Sequence, residues 1–269
     1  MNGLRLLAIA RVVVGALFVV RTTALANFLP IPLAHVDGAL LGWPLAPGAR
    51  FAELGLGLPG ALVLAACVIR TLAAVFFLLG VRARAAGLVA AASAFVVQAQ
   101  EPFLFFYTLE TLYVAIAVLA VADSATCAAL RPEPARSPDT SLDLVRGYVA
   151  AIYLWAAFAK LHTDWLDGHV LAELLRGGFV TGALARRALA SPLVLHASAI
   201  AVPAVEALLG VSLLWRKTRR VAVIGAIFFH AGLEEAVHPD VIGYVMCALL
   251  IPCWAVGRAP LLSRSPATT

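Results

Sequence analysis

Charge is what this sequence lacks. Only 13% of its 269 residues are Asp, Glu, Lys or Arg, while 62% are hydrophobic and the mean hydropathy is +0.95. Soluble domains carry about 25% charged residues, so a soluble enzyme is excluded and a multi-pass membrane protein is indicated. Metal-type cysteine spacing is missing too. Cys67, Cys127, Cys247 and Cys253 form no CxxC pair, and most lie in apolar stretches where a thiol is a small hydrophobe. They imply neither a disulfide framework nor a metal site. Phosphate-binding loops are absent in the same sense, because "LGLGLPG" (54–60) and "RGGF" (176–179) lack the strand-to-helix context such loops need. The net charge of +5 does not indicate nucleic acid, since the basic residues sit in short loops between apolar runs, where they set membrane orientation.

What is present is a series of apolar runs near 6–27, 58–81, 85–100, 104–122, 144–161, 196–215, 221–237 and 242–257. They predict an all-α, polytopic integral membrane bundle of about eight transmembrane helices, one domain over residues 1–269, with no soluble C-terminal domain. A cleavable signal peptide ending at Ala24-x-Ala26 is the other reading of the N-terminus; Arg21 argues against it, and a retained first helix is expected. Two connections are long: 28–57, rich in Pro and Gly, and 162–195, where "HVLAELLRG" predicts a short amphipathic helix at the membrane surface. The stretch "RPEPARSPDTS" (131–141) reads as a loop. No internal repeat of the kind transporters carry is found, and Pro59 and Pro203 are read as lying at span ends.

Eight spans put both termini on one side, together with Arg82, Arg84, Arg131, Arg136 and the cluster Arg216, Lys217, Arg219, Arg220. By the positive-inside rule that side is cytoplasmic, in the plasma (inner) membrane of the cell. His35, His162, His169, His196 and His238 fall in or beside the opposite loops, and His230 lies within the seventh span. Residues capable of chemistry therefore collect toward the exoplasmic side.

"YLWAAFAKLHTDWLDG" (153–168) runs from an apolar helix into Lys160, His162, Asp164 and Trp165. A lysine there can snorkel to the headgroups; partly desolvated, it can also give up its proton and serve as a base. Trp165 reads as an interface anchor. Arg70, near the middle of the second span, needs an acidic partner, and Glu110 and Glu206 are the acids placed inside other spans. Glu110 is the nearer by depth, and the pair reads as structural. The aromatic run "FLFFYTLETLY" (103–113) either walls a flat cofactor or forms an interfacial belt, and Glu101 and the Glu234–Glu235 pair read as solvated loop charges.

The segment "SLDLVRGYVAAIYLWAAFAKLHTDWLDGHVLAELL" resembles the HTTM (horizontally transferred transmembrane) family, whose membrane domain is shared by vitamin K-dependent gamma-carboxylases. That family carries a KLxxDWLxG signature, and Lys160 falls on its catalytic lysine. "LLGVRAR" (78–84), Glu206 before "LLGVSLLWRKTRRVAV", and "FFHAGLEEAVHPDVIGYVMCALLIP" (228–252) extend the likeness over nearly the whole chain, placing His230 on the family histidine. Two features depart from the pattern. "FFYTLETLY" offers Tyr107, Thr108 and Glu110 where the family often has an Asn-His pair, and the sequence ends at Thr269 without the large luminal domain of the eukaryotic carboxylases.

The resemblance implies an enzyme that epoxidises a reduced naphthoquinone (reduced vitamin K or menaquinol) with molecular oxygen. Carbanion formation and carboxylation by carbon dioxide would be a further, coupled step. Lys160, His230 and His162 are the expected catalytic residues, and Trp165, Asp164, Arg70, Glu110, Tyr107 and Glu206 the expected cofactor-binding ones. Expected partners are membrane lipid, the quinol and a protein or peptide substrate on the exoplasmic side. The alternative is a non-catalytic membrane partner or small-molecule transporter.

Overall fold

A computed structural model describes residues 3–26, 58–100, 107–236 and 242–255, and among these every regular element is a helix. In each of the eight apolar runs most of the described residues are helical. Four helices are long and apolar enough to cross a membrane: Gly3–Thr22, Ala61–Leu79, Pro138–Ala159 and Pro192–Leu214. Shorter apolar helices cover Ala83–Gln98, Glu110–Val121 and Ile242–Cys253. The runs 6–27, 104–122, 221–237 and 242–257 extend into 27, 104–106, 237 and 256–257, which lie outside the described residues, as do the loop 28–57, His35, Glu101 and His238. The helices form two compact units, Met1–Ser141 and Leu142–Thr269.

In the first unit α1 (Gly3–Ala26), α2 (Gly60–Leu79), α3 (Ala83–Gln100) and α4 (Tyr107–Val121) pack through Leu7, Val14, Phe18, Phe77, Leu112, Ile116 and Leu119. Both α2 and α4 lean on α1 and α3. Gly80 ends α2 in the left-handed conformation, φ 71°, and its N–H closes on Phe76 and Phe77 carbonyls. A Cβ there would meet the backbone of Ala129 at 2.8 Å, so only glycine serves. The outward face of α2 is apolar: Leu62, Val68, Leu72 and Phe76 are exposed, as expected of a helix bathed in lipid.

The fifth run begins earlier than its hydrophobicity announces. α5 (Pro138–Ala159) starts inside the segment read as a loop, because the Asp123 carboxylate accepts the N–H groups of Arg136 (3.0 Å) and Ser137 (2.7 Å) and Pro138 needs no donor partner. From Leu142 onward α5 belongs to the second unit, with α6 (Thr163–Leu166), α7 (His169–Arg176), α8 (Ala183–Leu189), α9 (Pro192–Leu214), α10 (Arg219–Ala236) and α11 (Ile242–Cys253). Its core holds Val145, Val149, Tyr153, Ala199, Leu213, Val223, Ala226, Met246, Leu249 and Leu250. Trp155, Phe158, Leu208, Val221 and Phe228 are exposed.

α7 is the expected amphipathic helix, and neither it nor α6 or α8 buries a residue. Two readings are corrected here. Pro203 lies inside α9 and not at a span end, since that helix already begins at Pro192. Glu234 is not a solvated loop charge: it sits on α10 and its carboxylate accepts the Gly243 N–H at 3.1 Å, one of the orphan donors at the start of α11.

Candidate functional site

α5 stops at Ala159 because its last turn tightens: the N–H of Lys160 bonds to Ala157 and that of Leu161 to Phe158, three residues back instead of four. The Ala156 carbonyl thereby loses its usual backbone donor. The Lys160 ammonium takes its place, with Nζ donating to Ala156 O at 3.0 Å. Nζ also donates to both carboxylate oxygens of Glu206, at 2.9 and 2.8 Å. Its three protons are therefore all used. The carboxylate is buried and the lysine side chain is only 20% exposed.

Glu206 comes from α9, on the stripe that also carries Ala199, Pro203 and Gly210, and it approaches α5 because that stripe is slim. A Cβ on Gly210 would stand 2.8 Å from Leu154 Cγ and 3.1 Å from the Ala150 carbonyl. Trp165, on α6, completes the surroundings. Its ring centroid is 5.3 Å from Lys160 Nζ, within cation–π range, and its Nε1 donates to the Ala199 carbonyl at 3.0 Å.

Tyr153 lies seven residues before Lys160, two turns back on the same face of α5 and about 10 Å away along the axis. Its hydroxyl meets His230 Nε2 of α10 at 2.8 Å. Both residues are buried, and Nδ1 of His230 has no hydrogen-bond partner among the described residues. One stripe of α5 thus bears two polar pairs: Lys160–Glu206 near its end and Tyr153–His230 deeper in the helix.

These contacts bring together Lys160, Glu206, Trp165 and, through Tyr153, His230. They do not include His162 or Asp164, which are exposed; no hydrogen bond or ion pair joins either to Lys160. Within the second unit, Glu206 is the acid that Lys160 meets. Arg70 and Glu110 do not form an ion pair among the described residues. Arg70 sits halfway along α2 and Glu110 in the first turn of α4, and each helix leans on α1 and α3. The Nε of Arg70 is buried without a partner among the described residues. Tyr107 opens α4, and its side chain lies outside the described residues.

Sequence reasoning missed Tyr153 and did not pair Glu206 with Lys160. The signal for Tyr153 was its seven-residue offset from Lys160; Glu206 carried none beyond being an acid in an apolar run. An open cavity of about 450 Å³ beside α7 and α9, lined by Asp167, Arg176 and His196 among others, contains none of the expected site residues.

Apolar outward faces on helices of spanning length, with Lys160 paired to Glu206 and His230 to Tyr153 on the inward side, define a multi-pass membrane protein in contact with lipid. Within that class the family is shown: the model of the HTTM domain matches residues 4–255, across both compact units, and the chain belongs to the HTTM family. No curated protein matches the chain, and no solved structure does.

Proposed function

We propose that this chain is a membrane enzyme that oxygenates a reduced naphthoquinone, with Lys160 and Glu206 acting together as its base. The observation that carries this reading is the bidentate ion pair of Lys160 on Glu206 at the mouth of an apolar helix. An ammonium with every proton engaged accepts nothing. The desolvated amine expected from the sequence is replaced by a pair, and only the pair can act. In a weakly polar environment an ammonium–carboxylate pair competes with its neutral form, in which the proton has crossed to the carboxyl.

In that form Lys160 presents a free amine lone pair, and Glu206 retains the proton. Taking one more proton at Lys160 Nζ leaves ammonium and carboxylic acid, with one net positive charge to balance the anion formed opposite. The quinol supplies that proton and the electron-rich ring that reacts with oxygen; excluding water protects the basic species that follow. The residues fit such a ligand at a second point, since the buried Nδ1 of His230, without a partner among the described residues, can bond an oxygen while Nε2 is tied to Tyr153. The likeness to the gamma-carboxylase membrane domain supports the same chemistry, with carboxylation as its coupled extension. We further place eight spans in the plasma membrane, both termini in the cytoplasm and the lysine toward the exoplasm, on the distribution of Arg and Lys.

The test is to supply purified protein with menaquinol or vitamin K hydroquinone and oxygen and to measure epoxide. Turnover by the native protein, abolished in Lys160→Ala, is expected; equal turnover in both removes Lys160 from the reaction. A second reading is favoured by the same ion pair, which fastens α5 to α9 and would do so equally in a non-catalytic membrane partner. Absence of turnover in either protein would favour it.

A further inference from the structure

Every carbonyl in an α-helix normally receives the N–H four residues on. Pro203 has none, so the Ala199 carbonyl in α9 lacks that donor, and the proline ring crowds it outward. Ala199 is fully buried, where no water can make up the loss. The donor that arrives is the Trp165 indole N–H, at 3.0 Å. Trp165 belongs to a four-residue helix that buries nothing of its own, and this bond fastens the half-buried ring to α9. The held ring lies over the ammonium of Lys160, 5.3 Å from Nζ.

We propose that Trp165 is a positioning residue for Lys160, locked in place by the carbonyl that Pro203 releases. α9 then sets the lysine from two directions: Glu206 binds it directly, and Ala199, seven residues earlier on the same face, binds it through the indole. Trp165 is bonded inward, which the interface-anchor reading does not provide for. The exposed aromatics nearby are Trp155 and Phe158. The inference rests on Lys160 being the functional amine of the proposed enzyme, and it can be tested without quinol.

The chain has two lysines, Lys160 and the exposed Lys217, so each reports on the other. Purified full-chain protein is acylated with a small N-hydroxysuccinimide ester, and modification at both sites is followed by peptide mass spectrometry. Trp165→Phe keeps a ring and loses the N–H. It should raise the Lys160-to-Lys217 rate ratio roughly two- to fivefold, the size of the cation–π contact at a partly exposed site that the unfastened ring gives up. Pro203→Ala restores a helical donor to Ala199 and should raise the ratio in the same direction. The double variant should rise no further than Trp165→Phe alone, because both changes break one linkage. An unchanged ratio in Trp165→Phe, or independent additive effects, overturns the proposal. Should Trp165→Phe yield no folded protein, Pro203→Ala decides alone, and an unchanged ratio overturns it. A shifted ratio in a protein that makes no epoxide would leave the positioning intact and remove the quinol.

Discussion

Lys160 and Glu206 set the scale of what one side chain can do in this protein. Removing the lysine strands a carboxylate that is 7% exposed, and breaking a buried pair costs about 3–5 kcal/mol. Lys160→Ala should therefore lower the thermal midpoint in detergent, and Glu206→Gln should lower it less, because an amide still accepts from the ammonium. Lys160→Met combined with Glu206→Leu removes both charges and should return the midpoint to the native value or above it. For an enzyme this double variant is stable and inactive; for a packing device it is stable and fully functional. Tyr153→Phe makes a similar point at the deeper pair. It leaves His230 Nε2 buried without its hydroxyl, a loss of about 1–3 kcal/mol that a thermal unfolding curve will show. No change in midpoint would mean that the imidazole is bonded elsewhere.

Between elements, the decisive contact is the close passage of α9 past α5. Gly210 makes it close, and substitution by leucine should drive Leu154 and the Ala150 carbonyl away, destabilise the fold and separate Glu206 from Lys160. Gly147, on α5 itself, is the control: nothing lies within 4 Å of a Cβ there. Gly147→Ala should be neutral or stabilise by about 0.5–1 kcal/mol through backbone entropy. Unfolding midpoints of the two variants check both statements, and equal effects would contradict them. The long elements were legible from apolar runs, whereas the short helices α6 and α8, which carry no such run, were not. The ends of the long ones were less so. α5 starts before its hydrophobic stretch, where Asp123 receives the N–H groups of Arg136 and Ser137 just ahead of the helix, and α9 starts before its own, which puts Pro203 in the helix interior.

At the level of the whole molecule, membrane placement follows from composition, and the sidedness proposed above rests on the arginines. With native cysteines replaced, a cysteine at Arg131 should be protected from a membrane-impermeant maleimide in intact cells, and one at Leu184 should react. Reversed labelling would invert the proposed orientation, and labelling of both would refute the count of spans between them. The match to the HTTM model over residues 4–255 makes this topology a question about the family's whole membrane domain.

Hydrophobicity is a sum over neighbouring residues, so it can be read along the chain without knowing what packs where. On that basis the sequence alone determined a helical membrane protein, the helical stretches, and Lys160 and His230 as unusual groups within it. Which acid meets which base is a different kind of fact, set by the neighbours of each helix and the rotation of its stripe about its axis. Only the tertiary structure decided that Glu206 meets Lys160, that Tyr153 meets His230, and that the Trp165 indole bonds the Ala199 carbonyl four residues before Pro203.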